Sequence, residues 1–327
     1  MMRSTGLVVS AVVGLGALVA VATTACGSSG PDSGFGSGGA SGASGASGGA
    51  SGGETSGSGG FGSSGTSGGA DSGKVDECKK MDIVFIVDNS GSMAQEQTNL
   101  ATNFPKFVKV ISDYKTKSGD QLDFRIAVSS SDDEKDKGKF SATRAPSAPS
   151  GCTAGPARPW LERGDGDIGP MFACRAQLGT NGSNIERPLE NMLLGVTTAV
   201  AQNSAAGTSF IREDALLAFI LLTDEDEGSA GGSGDLARPM ADYPPAFDKV
   251  KGDRGRWAAS VIAGPNQCSS PGLGNAAEAK RLKAFITDVG KNGVFSSICT
   301  GDLTTGLSEA LAKFDQACRD FPTGPVK

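Results

Sequence analysis

Met81-Asp82-Ile83-Val84-Phe85-Ile86-Val87-Asp88-Asn89-Ser90-Gly91-Ser92-Met93 is a short apolar run that stops on Asp-x-Ser-x-Ser. The run reads as a buried strand over 82–88. It delivers one carboxylate and two hydroxyls into a tight turn at the strand's carboxyl end, and Gly91 lets the backbone turn between the serines. In open α/β sheets ligands bind just outside those strand ends. A set of oxygens alone suits a hard divalent cation such as Mg²⁺. The stretch therefore points to cation-assisted binding rather than catalysis.

Outward from this strand the pattern alternates. A helix is expected over 95–114, with Leu100, Phe104, Phe107, Val108 and Ile111 on one face and Pro105 as a kink or restart. Strands are expected over 122–128, 216–223, 258–263 and 294–298. Helices are expected over 184–202, 276–289 and 307–320. The strands are apolar throughout, which implies a doubly wound, mostly parallel α/β sheet covered on both faces. The stretch 129–181 breaks the rhythm and is too long for an ordinary loop. It reads as an insertion pinned by Cys152 and Cys174, with a short strand near 139–142.

The amino terminus reads as an export signal over 1–25, with Arg3, an apolar core over 6–22 and small residues before Cys26. It resembles a bacterial lipoprotein signal in which Cys26 carries the lipid. An ordinary secretory signal and an uncleaved anchor are the alternatives. Gly27 after that cysteine is compatible with an outer-membrane lipoprotein of the cell envelope. Residues 26–76 are a Gly/Ser-rich tether; as a coil, about 50 residues span roughly 35–45 Å. The globular domain is expected over 77–327.

Bulk numbers exclude several functions. The net charge is −6 without a strong basic block, which argues against nucleic-acid binding. The chain has no His, so Ser-His-Asp and Cys-His devices are absent. Gly45-Ala46-Ser47-Gly48-Gly49 and Ser112-Asp113-Tyr114-Lys115 match catalytic patterns without the partners that such chemistry needs. There are 7 Cys, leaving six for disulfides if Cys26 is lipidated.

Alone, Asp-x-Ser-x-Ser is an ordinary turn and cap pattern. Two further elements change its reading. Leu221-Leu222-Thr223-Asp224 puts a second carboxylate at the end of another buried strand, and Gly182-Ser183-Asn184-Ile185 puts a hydroxyl before a helix between them. Over about 81–315 this arrangement resembles the von Willebrand factor type A domain and its metal-ion-dependent adhesion site. Asp88-Asn89-Ser90-Gly91-Ser92-Met93 with Glu96-Gln97, then Leu178-Gly179-Thr180-Asn181-Gly182, then Leu222-Thr223-Asp224-Glu225-Asp226, look like secreted lipoprotein members of that family.

The resemblance implies a Rossmann-like fold and a divalent cation, Mg²⁺ or else Mn²⁺ or Ca²⁺. Ser90 and Ser92 would ligate directly, while Asp88 and Asp224 would act through water or hydrogen bonds. For the family's threonine, Ser183 is favoured by spacing and Thr180 is the alternative. The implied function is capture of a protein ligand's Asp or Glu carboxylate, with no enzymatic activity. A structural or assembly module of the envelope is the alternative. Six cysteines allow 15 pairings. Proximity favours Cys152 with Cys174, the adjoining termini of the fold favour Cys78 with Cys318, and Cys268 and Cys299 remain.

Three other patches have two readings each. Asp224-Glu225-Asp226-Glu227 is either an acidic lip or a solvated loop face. Arg158, Trp160 and Arg163 are either a contact patch or packing for the insertion. Asp165-Gly166-Asp167 hints at calcium but lacks the remaining ligands of a calcium loop.

Overall fold

Strand β1 (Lys80–Val87) lies inside a six-stranded sheet and pairs on both edges. The structure, a computed structural model, describes residues 77–116, 118–228, 236–269, 274–322 and 324. The expected signal, Cys26 and the tether lie outside the described residues. After β1 come α1 (Ala94–Asp113), β2 (Asp123–Ser130), the edge strand β3 (Leu161–Glu162), α2 (Ile168–Ala176) and α3 (Pro188–Val196). A small ribbon of β4 (Ser204–Ala205) and β5 (Thr208–Ser209) precedes β6 (Leu216–Leu222), α4 (Tyr243–Lys251) and β7 (Trp257–Ala263). A second ribbon, β8 (Cys268–Ser269) and β9 (Asn275–Ala276), leads to α5 (Lys280–Val289), β10 (Gly293–Ser297) and α6 (Leu303–Arg319).

The sheet order is β10-β7-β6-β1-β2-β3, parallel except for β3, which pairs antiparallel with β2. Both faces are buried, and the strand period of two divides them. Ile83, Phe85 and Val87 of β1, with Ala218 and Ile220 of β6, face α1, α2 and α6. Val84 and Ile86, with Leu217, Phe219 and Leu221, face α3, α4 and α5. Each such Val, Ile, Leu or Phe side chain contributes about 1.5–3 kcal/mol by leaving water. That is why β1 and β6 read as continuous apolar runs rather than alternating ones.

This layering places the site. The chain leaves β1 for α1 on one face and leaves β6 for α4 on the other, although the two strands are neighbours. Their carboxyl ends therefore open a crevice at the point where the winding reverses. In register, Val87 lies between Ser130 of β2 and Leu222 of β6.

The expected elements over 82–88, 122–128, 216–223, 258–263 and 294–298 are all strands, with ends moved by up to two residues. Helix α1 is continuous through Pro105. Helix α3 starts at Pro188 rather than 184, because Pro fits the first helical turn and disfavours helix just before it. Helix α5 starts at Lys280 rather than 276, since Asn275 and Ala276 pair with β8. No strand forms at 139–142. There Phe140 N donates to Asn203 Oδ1 and Ser141 N to Val128 O, and the sheet edge beside β2 is taken by β3 instead. Helices α2 and α4 had no counterpart in the sequence reading.

The cysteines pair as expected: Cys78–Cys318, Cys152–Cys174 and Cys268–Cys299. The second of these lies within the insertion. Among the described residues no helix is long and apolar enough to cross a membrane.

Candidate metal centre

Asp88 follows β1 directly and is wholly buried. Its main-chain N donates to Leu222 O at 2.9 Å, continuing the β1–β6 ladder by one step. Its carboxylate has three donors: Ser90 N at 2.7 Å and Ser131 Oγ at 3.4 Å on Oδ1, and Thr223 Oγ1 at 2.6 Å on Oδ2. Burial pushes the Asp88 carboxyl above its ordinary range, opposed by the Thr223 and Ser90 donors and reinforced by Glu225.

Asp88, Ser90 and Ser92 are linked by direct contacts, and Asp224 lies near enough to Asp88 to feel its charge. Ser90 Oγ and Ser92 Oγ are 3.4 Å apart. The Ser92 hydroxyl lies near enough to the Asp224 carboxylate to oppose its upward shift. Gly91 and Ser92 are exposed, whereas Ser90 and Asp224 are buried. Burial pushes Asp224 up to about 7; Ser92 opposes the shift, and the charges of Asp88 and Glu225 add to it.

The loop after α2 runs along this turn. Gln97, one turn into α1, donates from Nε2 to both Asp88 O and Gly179 O at 2.8 Å, and its Oε1 accepts from Gly179 N at 2.9 Å. Gly182 N donates to Asn89 O at 2.8 Å. A Cβ on Gly182 would fall 2.3 Å from Asn89 Oδ1, so any larger residue would push the Asn89 side chain aside. Thr180 is thus held between two clamps on the Asp88–Asn89 backbone. Ser183 lies past them: its N donates to Asp132 Oδ2 at 3.1 Å and its hydroxyl accepts from Ile185 N at 3.0 Å.

Three participants carried no assigned role in the sequence reading: Thr223, Gln97 and Glu96. Glu96 is wholly buried, and neither of its carboxylate oxygens has a hydrogen-bond partner. Burial pushes it up to about 7; its own main-chain amide opposes this, and Asp224 and Asp88 add to it. Asp224 Oδ1 is likewise buried without a partner. Among the described residues no three His, Cys, Asp or Glu form a group that could hold a metal ion, so any cation's shell here needs other oxygens such as hydroxyls, carbonyls or water. Buried acceptors without donors fit a cation and its waters.

The other patches resolve. In the acidic run, Asp226 caps α5 by accepting from Arg281 N and Leu282 N, and Glu227 caps α3 by accepting from Leu189 N and Glu190 N. Trp160 is buried under Arg125, whose guanidinium lies 4.8 Å from the ring centre. Arg163 spans Phe124 and donates to Leu122 O and Ser112 O, so this patch packs the insertion onto the domain. Asp165 is occupied by Arg158 and Glu162 N.

No family model matches the chain, and no curated protein matches it. Among solved structures it is similar to proximal thread matrix protein 1 from the mussel byssus, at 14% identity and TM-score 0.39, over 74% of this chain and 49% of that one. It is similar to manganese-loaded TRAP protein of Plasmodium vivax at 12% identity and TM-score 0.35, over 74% of each chain. It is similar to the pilus adhesin SpaC of Lactobacillus rhamnosus GG at 14% identity and TM-score 0.35, over 75% of this chain and 31% of that one. The chain spans about half the length of the mussel protein.

Proposed function

We propose that this von Willebrand factor type A-like domain holds one divalent cation at the tips of β1 and β6 and uses it to bind a protein ligand. Ser90 and Ser92 are the direct ligands. Asp88 and Asp224 hold the ion's waters, and a hydroxyl of the 179–183 loop completes the set. The two clamps on that loop favour Thr180 over Ser183. Mg²⁺ is the first choice, with Mn²⁺ or Ca²⁺ as substitutes, because every donor is a hard oxygen. The observation that carries the reading is the surplus of buried acceptors at the strand tips, with Asp224 Oδ1 and both Glu96 oxygens lacking donors.

The bound cation would supply an open position for an Asp or Glu carboxylate of the ligand. The exposed Gly91–Ser92 turn gives that carboxylate its approach. Asp88 is tied to three donors and keeps the turn in shape, so the chain's own groups bind and orient rather than transfer protons. With no His in the chain, the Ser-His-Asp and Cys-His devices are absent, and we assign no reaction. The proposal includes export, lipid attachment at Cys26 and an envelope location, with the disulfides matching an oxidising compartment.

Calorimetric titration of the full chain with Mg²⁺ and Mn²⁺ tests the site. We expect one cation per chain, and loss of binding in Asp88→Ala and Asp224→Asn with circular dichroism still native. Equal binding in wild type and both variants would sink the proposal.

A further inference from the structure

We propose that Glu96 is an outer carboxylate of the cation site, accepting hydrogen bonds from water on the ion that Ser90 and Ser92 ligate. The inference rests on the cation reading above and extends it to a residue outside the Asp-x-Ser-x-Ser pattern.

Glu96 is the third residue of α1. In that position a Glu often reaches back to cap the helix. Here it does not, because Met93 N is spent on Ser90 O and α1 has no side-chain cap. An acidic group in the first turn gains from the helix dipole, but an exposed one gains as well. The dipole therefore does not explain why Glu96 is wholly buried with both oxygens unpartnered. Such burial is costly unless a donor or a cation arrives.

Its surroundings say which of the two is missing. The carboxylate lies close enough to Asp224 and Asp88 to feel both charges. Among the described residues it has no ion-pair partner, so it adds a third negative group to a pair that already repel. On its other side stands Gly274, beside the β8–β9 ribbon that Cys268–Cys299 ties down. A Cβ there would lie 3.5 Å from Glu96 Oε1, an ordinary van der Waals distance, so this backbone borders the buried oxygen without supplying it a donor.

The chemistry of the ion supplies the donors. Mg²⁺ keeps several of its waters when proteins bind it, and each water points its hydrogens outward. Two serines and the loop hydroxyl leave about half of an octahedral shell to water. Those waters need acceptors, and Asp88, Asp224 and Glu96 are the carboxylates buried there, with Glu225 half-buried beside them. Asp88 already accepts three hydrogen bonds from the protein, so Asp224 Oδ1 and the two Glu96 oxygens carry the remaining capacity. Glu96 is thus a positioning residue that acts through water rather than a direct ligand.

The test compares the full-length, oxidised wild type with Glu96→Gln, Glu96→Asp and Ser92→Ala. Mn²⁺ is titrated by calorimetry, melting is followed with and without Mg²⁺, and the protons of Mn²⁺-bound water are read by pulsed electron paramagnetic resonance. Glu96→Gln is expected to weaken the cation about tenfold, as loss of an outer partner does. It should also melt higher than wild type without cation, gain less from Mg²⁺, and change the water-proton signal. Glu96→Asp, which keeps the charge on a shorter arm, should fall between the two and serves if Glu96→Gln does not fold. Wild-type affinity and an unchanged water signal in Glu96→Gln, or in Glu96→Asp if that is the folded one, overturn the inference. If Ser92→Ala loses the cation while the Glu96 variants keep it, only the role of Glu96 falls. A wild type that binds no cation overturns both readings.

Discussion

Thr223 Oγ1 donates to Asp88 Oδ2 at 2.6 Å, joining residues 135 apart in sequence at the tips of two adjacent strands. The contact follows from register: Val87 pairs with Leu222, so the next residue on each strand meets the other. Thr223 thus fixes the carboxylate of the turn and draws its protonation down against burial. Thr223→Val keeps the shape and removes the donor, leaving a buried carboxylate oxygen short of a partner. We expect a loss of about 1–3 kcal/mol in urea unfolding without cation, and weaker Mn²⁺ binding by calorimetry. Unaltered values for both would show that the hydroxyl is dispensable.

How much of this was legible in sequence depended on what each residue answers to. β1 and β6 could be read because each residue along them is buried on one face or the other, so the apolar run itself is the signal. Asp88, Ser90, Ser92 and Asp224 could be placed because they follow those runs directly. Helix α4 was hidden because it opens Tyr243-Pro244-Pro245, and paired prolines look like a break although the first helical turn tolerates them. Thr223, Gln97 and Glu96 act only through tertiary neighbours, so no local pattern gives them roles.

Gln97 makes three hydrogen bonds that tie the turn after β1 to the loop after α2. Gln97→Leu fills the space but frees Asp88 O and both polar groups of Gly179. The expected result is a stability loss of about 1–3 kcal/mol and faster hydrogen exchange at the Gly179 amide. Exchange at the wild-type rate would mean that the loop is held by other contacts.

Thr180 and Ser183 can be separated by single hydroxyl deletions. Ser183 Oγ is engaged by Ile185 N, whereas Thr180 lies between the Gly179 and Gly182 clamps. Thr180→Ala is expected to weaken Mn²⁺ at least tenfold, on the order of 1.4 kcal/mol or more, with little change in melting. Ser183→Ala should leave affinity near wild type and cost some stability instead. The opposite pattern would assign the loop ligand to Ser183.

Glu227 gives the domain a pH dependence away from the cation. Burial pushes its carboxyl up to about 8, opposed by Leu189 N, Glu190 N and the Tyr243 hydroxyl. Its pKa is higher folded than unfolded, so the folded state binds more protons between about 4.5 and about 8. The resulting stability is full below about 4.5 and is lost as pH rises through about 8. Urea midpoints measured from pH 5 to 9 should therefore fall for the wild type and fall less steeply in Glu227→Gln, the remaining slope coming from Asp82, Glu96 and Asp224. A variant that follows the wild-type slope would exclude Glu227 as the source.

Arg175 organises the insertion from its centre. It is buried at 1% exposure and donates to four main-chain carbonyls, those of Ala154, Pro156, Arg158 and Ser141, at 2.7–3.1 Å. None of the four belongs to a helix or strand of the sheet, so the guanidinium takes the place of a ladder for a segment that has none. Burial lowers its pKa to about 10, which leaves it charged at neutral pH. A lysine offers three donors at one point and lacks the planar fork that reaches four carbonyls on different sides. Arg175→Lys should therefore fail nearly as badly as Arg175→Met, each losing about 2–4 kcal/mol, as breaking a buried polar network does. Cys152–Cys174 would still cross-link part of the segment, so the failure should stay local and show as faster trypsin cleavage at Lys139 and Arg144. A lysine variant with wild-type protease resistance would mean that charge alone, and not the fork, holds the insertion together.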